Sequence, residues 1–348
     1  MDVKLVAPPP SAPTLAQRVS SPGILRLYLA SAVVWEHMMG GGLGTLSVYL
    51  FFILSGYWIA RLWKTRYSRC RRPYLVFMTS RFWRLLPVYL VTVALSILCM
   101  WRFSKWWPSW AAHFSSPVWL LNTFLIIGSA AQPHLLAPYW SLDIEVQFYF
   151  LAPLIVALCS ILGRSPWQSF LLIAACAAGY FLLPLMDYAG PYLIFFIAGS
   201  ILEQTRWNPS RWLVACATPL FILAYVITVR LGIHFWDPSF QGAQWRLMPL
   251  ICVALAFPFV ALCLQRRSDH ADRTLGDLAY PLYLFHFLPY LVIDPVQFLH
   301  RLPFSARCAL NLTVTLLGTA ALYFLIDRPI DRKRSHFVES MVKAGGHP

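Results

Sequence analysis

The chain has 348 residues, of which 59% are hydrophobic, 16% aromatic and only 12% charged, with a formal net charge of +14. A soluble domain carries roughly a quarter charged residues, so this composition excludes an ordinary soluble globular protein and marks a polytopic membrane protein. The positive charge does not call for nucleic acid, because the basic residues follow the edges of apolar runs.

Residues 1–22 are rich in Pro, Ala and Ser and lack the apolar core of a signal peptide, so a disordered N-terminal tail is expected there. Apolar runs of membrane-crossing length follow at 24–40, 43–62, 86–101, 139–162, 168–186, 189–204, 212–230, 246–264, 275–298 and 307–326. The piece VWLLNTFLIIG (118–128) is short for a span and reads as re-entrant or interfacial. WRFSKWWPSW (101–110) reads as an interfacial aromatic belt. With the N-terminus inside and ten helices alternating, 22 of the 28 Lys and Arg fall in inside segments. Cytoplasmic loops carry the basic excess, so the reversed topology is disfavoured. The expected fold is all-α and polytopic, with about ten transmembrane helices, both termini cytoplasmic, and a basic cytoplasmic tail over 331–348. Eight cysteines are scattered singly and no two of the nine histidines lie three or four apart. Neither a disulfide framework nor a metal site is expected.

Charges placed within such runs are the informative residues, since an Arg at a helix centre in lipid costs at least ~2.5–3.5 kcal/mol. Arg26 and His37 lie on the first run, eleven positions or about 16 Å apart along a helix. The topology puts Arg26 at its cytoplasmic end and His37 towards the outer leaflet, and imidazole suits general-base work near neutral pH. The basic residues from Arg61 to Arg72 read as cytoplasmic anchoring. Arg81 and Arg84 share one face at the expected mouth of the next helix, where two guanidiniums suit bidentate binding of phosphate. Glu145 lies inside the apolar segment PYWSLDIEVQFYFLAPL (138–154), flanked by Trp140, Phe148 and Tyr149. An embedded Glu is a functional candidate; an ion pair with one of the arginines is the plain structural alternative. Asp143 points elsewhere, near the helix start where an acid suits the macrodipole.

Six segments in order carry a family resemblance: Arg26-x10-His37, VYLFFILSGYWIARL (48–62), Arg81-x-x-Arg84 with Pro87, Trp140-Ser-Leu-x-x-Glu145 with Gln147-Phe-Tyr, LGDLAYPLYLFHFLP (275–289) and LIDRP (325–329). Over nearly its full length the chain resembles the acyltransferase-3 family of integral-membrane acyltransferases, with the family's transmembrane domain over 23–330. The resemblance implies transfer of an acyl group, most often acetyl, from acyl-CoA to a hydroxyl of an extracytoplasmic glycan. Acyl-CoA is then a co-substrate and no cofactor is bound permanently. The expected partners are acyl-CoA, a glycan or lipid-linked glycan acceptor and membrane lipid, without nucleic acid, in the bacterial inner membrane. By the same resemblance His37 is the catalytic residue, Arg26, Arg81 and Arg84 are required and suit the donor, and Glu145 and Trp140 form the second functional motif. His286 matches a recurrent histidine of the penultimate helix, and Ser55 in the 48–62 run is a further candidate. This chain departs from many relatives in having Tyr49 where an acid often precedes the LFF run, and Glu36 directly before His37. Some relatives carry a fused extracytoplasmic esterase-like domain, which is not expected here.

The expected mechanism has acyl-CoA phosphates held by Arg81, Arg84 and Arg26, with the pantetheine arm reaching inward to His37. His37 then acts as base towards the acceptor hydroxyl or as a covalent acyl carrier. The main rival is a transporter whose buried Arg, His and Glu form a proton or anion pathway. A second rival is a membrane enzyme of another superfamily. The transporter reading predicts inverted repeats, which the sequence does not display, and flux without acyl-CoA turnover.

Overall fold

The computed structural model describes residues 20–103, 117, 123–124, 135, 138–163, 165–185, 188–232, 243–293 and 295–345. In chain order they form α1 (Pro22–Met39), α2 (Leu43–Thr65), α3 (Pro73–Arg102), α4 (Tyr139–Leu162), α5 (Pro166–Leu182), α6 (Leu193–Thr205), α7 (Arg211–Arg230), α8 (Ala243–Leu264), α9 (His270–Phe285), α10 (Leu288–Ile293), α11 (Gln297–His300), α12 (Phe304–Leu322) and α13 (Arg328–Ala344). A 3₁₀ turn (Tyr67–Arg69) joins α2 to α3, and a π turn (Tyr323–Asp327) joins α12 to α13. No strand occurs among the described residues.

In lipid the backbone has no water to bond to, so the apolar runs close their hydrogen bonds within helices. Among the described residues six helices are long and apolar enough to cross a bilayer: α2, α3, α4, α7, α8 and the rod that runs from α12 to α13. The chain is a multi-pass α-helical membrane protein. Of the remaining runs expected to span, α5 and α6 are apolar but only 17 and 13 residues long.

Two runs take a form that their hydropathy did not indicate. The helix expected over 86–101 begins thirteen residues earlier, at Pro73, a residue suited to a first helical turn, and passes through Pro87 without ending. Arg81 and Arg84 therefore lie more than two turns inside α3 instead of at its mouth. The run 275–298 is not one helix: α9 ends at Phe285, with His286 as its C-cap, and α10 starts at Leu288. Pro289 sits in the first turn of α10, where its missing N–H is no loss, and so marks a fresh start. Of the belt 101–110 only 101–103, and of the piece 118–128 only 123–124, are among the described residues. The expected N-terminal tail lies outside them up to residue 19, and the basic C-terminal segment is helical as far as Ala344.

Without a hydrophobic difference between lipid and side chain, helices in a membrane associate through small residues and hydrogen bonds. The crossing of α2 with α6 shows this directly. A Cβ on Gly56 would collide with the Phe196 carbonyl, and one on Gly199 with the Ile53 carbonyl. Ser200 Oγ donates to Gly56 O at 3.2 Å across the same seam. By contrast α7 buries only Ala217 and Thr228 and turns Leu220, Ile222, Leu223 and Val226 outwards, as a lipid-facing helix does. On the other flank α13 docks on α3, with Val338 fully buried and Phe337 5.5 Å from Trp83, ring centre to ring centre.

Candidate active site

A cavity of about 180 Å³ opens between α1, α2, α3, α4 and α9. Arg26, Ser55, Arg81, Arg84 and Glu145 all line it, so five residues singled out from sequence meet in one chamber. His37, Trp140 and His286 do not line it.

The three arginines differ in what holds them. Arg84 is bound by carboxylates: its Nη1 lies 3.0 and 3.1 Å from the two oxygens of Asp327 and 3.5 Å from Asp331, and its Nη2 lies 3.7 Å from Asp277. The π turn widens the helix just before α13 and Asp327 is its last residue. Arg81 has no carboxylate partner among the described residues. Its Nη2 donates to the Tyr67 hydroxyl at 3.1 Å, and its buried Nε has no partner there. Arg26 likewise has no acid beside it among the described residues, and its guanidinium lies 5.5 Å from the Trp58 ring centre in a cation–π contact. Two cations thus face the cavity without a neutralising carboxylate in contact.

Glu145 is half-buried and makes no ion pair with an arginine among the described residues, so the plain structural alternative is not what holds it. One carboxylate oxygen, Oε1, accepts both the Ser55 hydroxyl at 2.5 Å and the Tyr149 hydroxyl at 2.7 Å. Tyr149 lies one turn after Glu145 on α4, and Ser55 reaches it from α2. Oε2 carries no hydrogen bond among the described residues and belongs to a side chain on the cavity wall. Deeper in the same wall, Tyr283 donates to Pro138 O at 2.8 Å and shares a 2.6 Å bond with Ser141.

His37 stands in the last turn of α1, before a turn of three glycines with φ of 78°, 108° and 79°. A left-handed run of this kind is open only to glycine, and it lets α2 fold back beside α1. Glu36 does not orient His37. Its carboxylate accepts the backbone N–H of Gly44 and, at 3.2 Å, that of Thr45, and so caps the first turn of α2. His37 Nδ1 meets two partners at once, Val33 O at 3.0 Å and His286 Nε2 at 3.4 Å. Phe287 meets the His37 ring edge-on at 5.4 Å. Tyr283, on the cavity wall, is one turn before His286, so the chamber and the histidine pair share the end of α9.

The entry of α1 into this arrangement is set by α9. Asp272 accepts the N–H of Gly23 at 3.1 Å and of Ile24 at 2.9 Å, together with the Ser21 hydroxyl, and so caps α1 from another helix. Trp140 belongs to an aromatic cluster instead, 5.7 Å from Tyr192 and 6.3 Å from Phe52. Tyr67, Tyr149, Tyr283, Asp272 and Asp327 were not singled out from sequence. Asp327, inside LIDRP, was the one with a visible signal: an acid at the end of an apolar run. Among the described residues no three His, Cys, Asp or Glu side chains are gathered to hold a metal ion.

Comparison with known proteins bears on this geometry. The family described as acyltransferase domain, acyltransferase-3, matches residues 18–326. The chain is similar to the O-acetyltransferase OatA of Staphylococcus aureus, with 23% identity over 90% of this chain and 57% of that protein. It is similar to YrhL of Bacillus subtilis, provisionally named a peptidoglycan O-acetyltransferase, with 23% identity over 89% of this chain and 54% of that protein. An uncharacterized protein of Aquifex aeolicus is 24% identical over 62% of this chain and 98% of its own length. The chain therefore spans a little over half the length of OatA and YrhL. No solved structure matches. With a family match from residue 18 to residue 326, the chain belongs to the acyltransferase-3 family of membrane acyltransferases.

Proposed function

We propose that this protein is an O-acyltransferase that moves an acyl group, acetyl in the first instance, from acyl-CoA to a hydroxyl of an extracytoplasmic carbohydrate. The observation that carries the reading is the layout of α1, which presents Arg26 to the chamber and carries His37, eleven residues on, against His286, one turn past Tyr283 on the chamber wall. That separation is about 16 Å along a helix, of the same order as a pantetheine arm. Arg26 and Arg81, with donors free of protein carboxylates, suit the phosphates of the donor. Arg84, already matched by Asp327, holds the chamber's cytoplasmic wall.

The imidazole of His37 takes the proton of the acceptor hydroxyl as its oxygen attacks the thioester carbonyl. The tetrahedral centre collapses, the C–S bond breaks, and the proton passes to the departing CoA thiolate, leaving ester and CoA thiol. A positioned general base contributes roughly 10²–10⁴ in rate. Oε2 of Glu145, without a partner among the described residues, suits acceptor hydroxyls or the groups next to the thioester. The names of OatA and YrhL support acetyl as the group, and that of YrhL supports a cell-wall glycan as the class of acceptor. The charge pattern supports an orientation with both termini cytoplasmic, and the bacterial relatives suit residence in a bacterial inner membrane, crossed ten times on the hydropathy of the chain.

The test is release of free CoA from acetyl-CoA by purified protein in nanodiscs, with wild type beside His37→Ala. Turnover by the wild type that falls at least a hundredfold in His37→Ala is the expected result. Equal turnover by both would remove His37 from the chemistry.

A further inference from the structure

Two backbone carbonyls fix the protons of the buried histidine pair. A carbonyl oxygen only accepts, so each ring nitrogen facing one must carry hydrogen. His286 Nδ1 lies 2.8 Å from Tyr283 O, which makes Nδ1 the protonated nitrogen and leaves Nε2 of the neutral ring a bare acceptor. His37 Nδ1 lies 3.0 Å from Val33 O, which protonates His37 at Nδ1 as well. The contact between the rings then joins a donor to an acceptor: the single His37 Nδ1–H is shared between Val33 O and, 3.4 Å away, His286 Nε2. The opposite assignment would set a lone pair against a carbonyl lone pair at both ends. The two carbonyls, on different helices, agree on one arrangement.

We infer that His286 is the positioning residue of this site: it holds His37 in the Nδ1–H tautomer and so makes Nε2 the nitrogen that takes the acceptor's proton. The inference rests on the reading of His37 as the catalytic base. Val33 O alone is a poor clamp, because in an α-helix it also accepts the backbone N–H of His37. His286 supplies the second acceptor, and its own ring is locked, fully buried, at the C-terminal end of α9. In serine hydrolases a carboxylate does this task for the histidine. Here a neutral imidazole orients the base without adding a second charge to a membrane-embedded site, where a charge is costly. The neighbouring acid cannot serve, since Glu36 is committed to the first turn of α2. The break of the run after Phe285 also gains a purpose, because it places His286 at a helix end facing α1.

The test compares His286→Leu with His286→Gln, whose side-chain oxygen restores an acceptor near the Nε2 position. CoA release should fall about tenfold or more in His286→Leu and recover most of the way in His286→Gln, with donor affinity unchanged in both. If His286→Leu does not fold, His286→Phe takes its place. In parallel, solid-state ¹⁵N NMR of histidine-labelled protein, with His37→Ala identifying the signal, should show His37 protonated at Nδ1 in the wild type and mixed tautomers in the Leu variant. Equal activity of the Leu and Gln variants, or an Nε2–H tautomer in the wild type, would overturn the assignment. Failure of the underlying reading looks different, since His37→Ala itself would then retain turnover.

Discussion

Arg84 Nη1 lies 3.0 Å from Oδ1 of Asp327, joining the middle of α3 to the π turn that ends α12. Asp327 is buried, and removing one partner of a buried pair leaves the other uncompensated, at a cost of about 3–5 kcal/mol. Asp331 and Asp277 stay near Arg84, so Asp327→Ala should cost somewhat less, roughly 2–4 kcal/mol, read as a lowered unfolding temperature in detergent. Arg81 should respond in the other way. It has no acid beside it among the described residues, so Arg81→Lys should leave stability within about 1 kcal/mol while weakening acyl-CoA binding about tenfold through loss of the planar fork. Titration of acyl-CoA against both variants separates the two roles, and an Arg81→Lys protein with unchanged affinity would remove Arg81 from the donor site.

Glu145 is held through one oxygen by Ser55 and Tyr149, leaving the other to the cavity. Glu145→Gln keeps the shape and removes the charge, and CoA release should drop by about a hundredfold with folding intact. Ser55→Ala and Tyr149→Phe each remove one of the two restraints and should cost about tenfold at most. A double variant losing no more than either single change would show that the two hydroxyls act as one unit.

Asp272 supplies a pH dependence with a definite sign. Burial raises its carboxyl, but hydrogen bonds from Ser21, Ser268 and the N–H groups of Ile24 and Gly23 outweigh burial and hold it below the usual range. A lowered folded-state value stabilises the fold at every pH above the unfolded carboxylate value of about 3.9 and is lost as pH falls through the folded value. Asp272→Ala should therefore be less stable at pH 7 by about 1 kcal/mol, the worth of a helix cap. The gap should close as the medium is acidified below about pH 4. A gap that stays constant with pH would contradict the carboxylate's role in capping α1.

Orientation is open to labelling. On a cysteine-free background, a cysteine at Leu231, after α7, should react with an impermeant thiol reagent added outside intact cells, and one at Ser68, between α2 and α3, should not. The reverse pattern would turn the proposed topology over.

Much of the site was legible because charges in apolar runs are rare and need a reason. Arg26 and Glu145 were marked by that cost, Arg81 and Arg84 by their shared face at an expected helix mouth, and Ser55 by the run it occupies; all five line one cavity. The bounds of α4, 139–162, were read directly from its hydropathy. What stayed hidden involves partners far apart in sequence. His37 and His286 are 249 positions apart, and Arg84 and Asp327 are 243 apart, distances at which one sequence carries no pairing signal. Arg81 and Arg84 read as twins because three residues on a helix share a face, yet Tyr67 takes one and Asp327 the other. The early start of α3 was hidden because Thr79, Ser80, Arg81 and Arg84 interrupt the apolar residues of 73–85, while Pro73 and packing against α13 make it helix.

The π turn at Tyr323–Asp327 has a consequence for insertions and deletions. A π turn holds one residue more than the α turn it replaces, and each residue of an α-helix advances the phase by about 100°. Deleting a single residue there would let the rod relax to a uniform α-helix. Because the surplus residue is taken up within that one turn, its loss would barely shorten the rod and would leave Val338 on its seat against α3. A deletion in the regular part of α12 would instead turn everything beyond it by about 100°, carrying Val338 off α3 and Asp327 off Arg84. The five residues are therefore the place where the rod absorbs a change of length, while along the regular helix before them the same change becomes a change of angle.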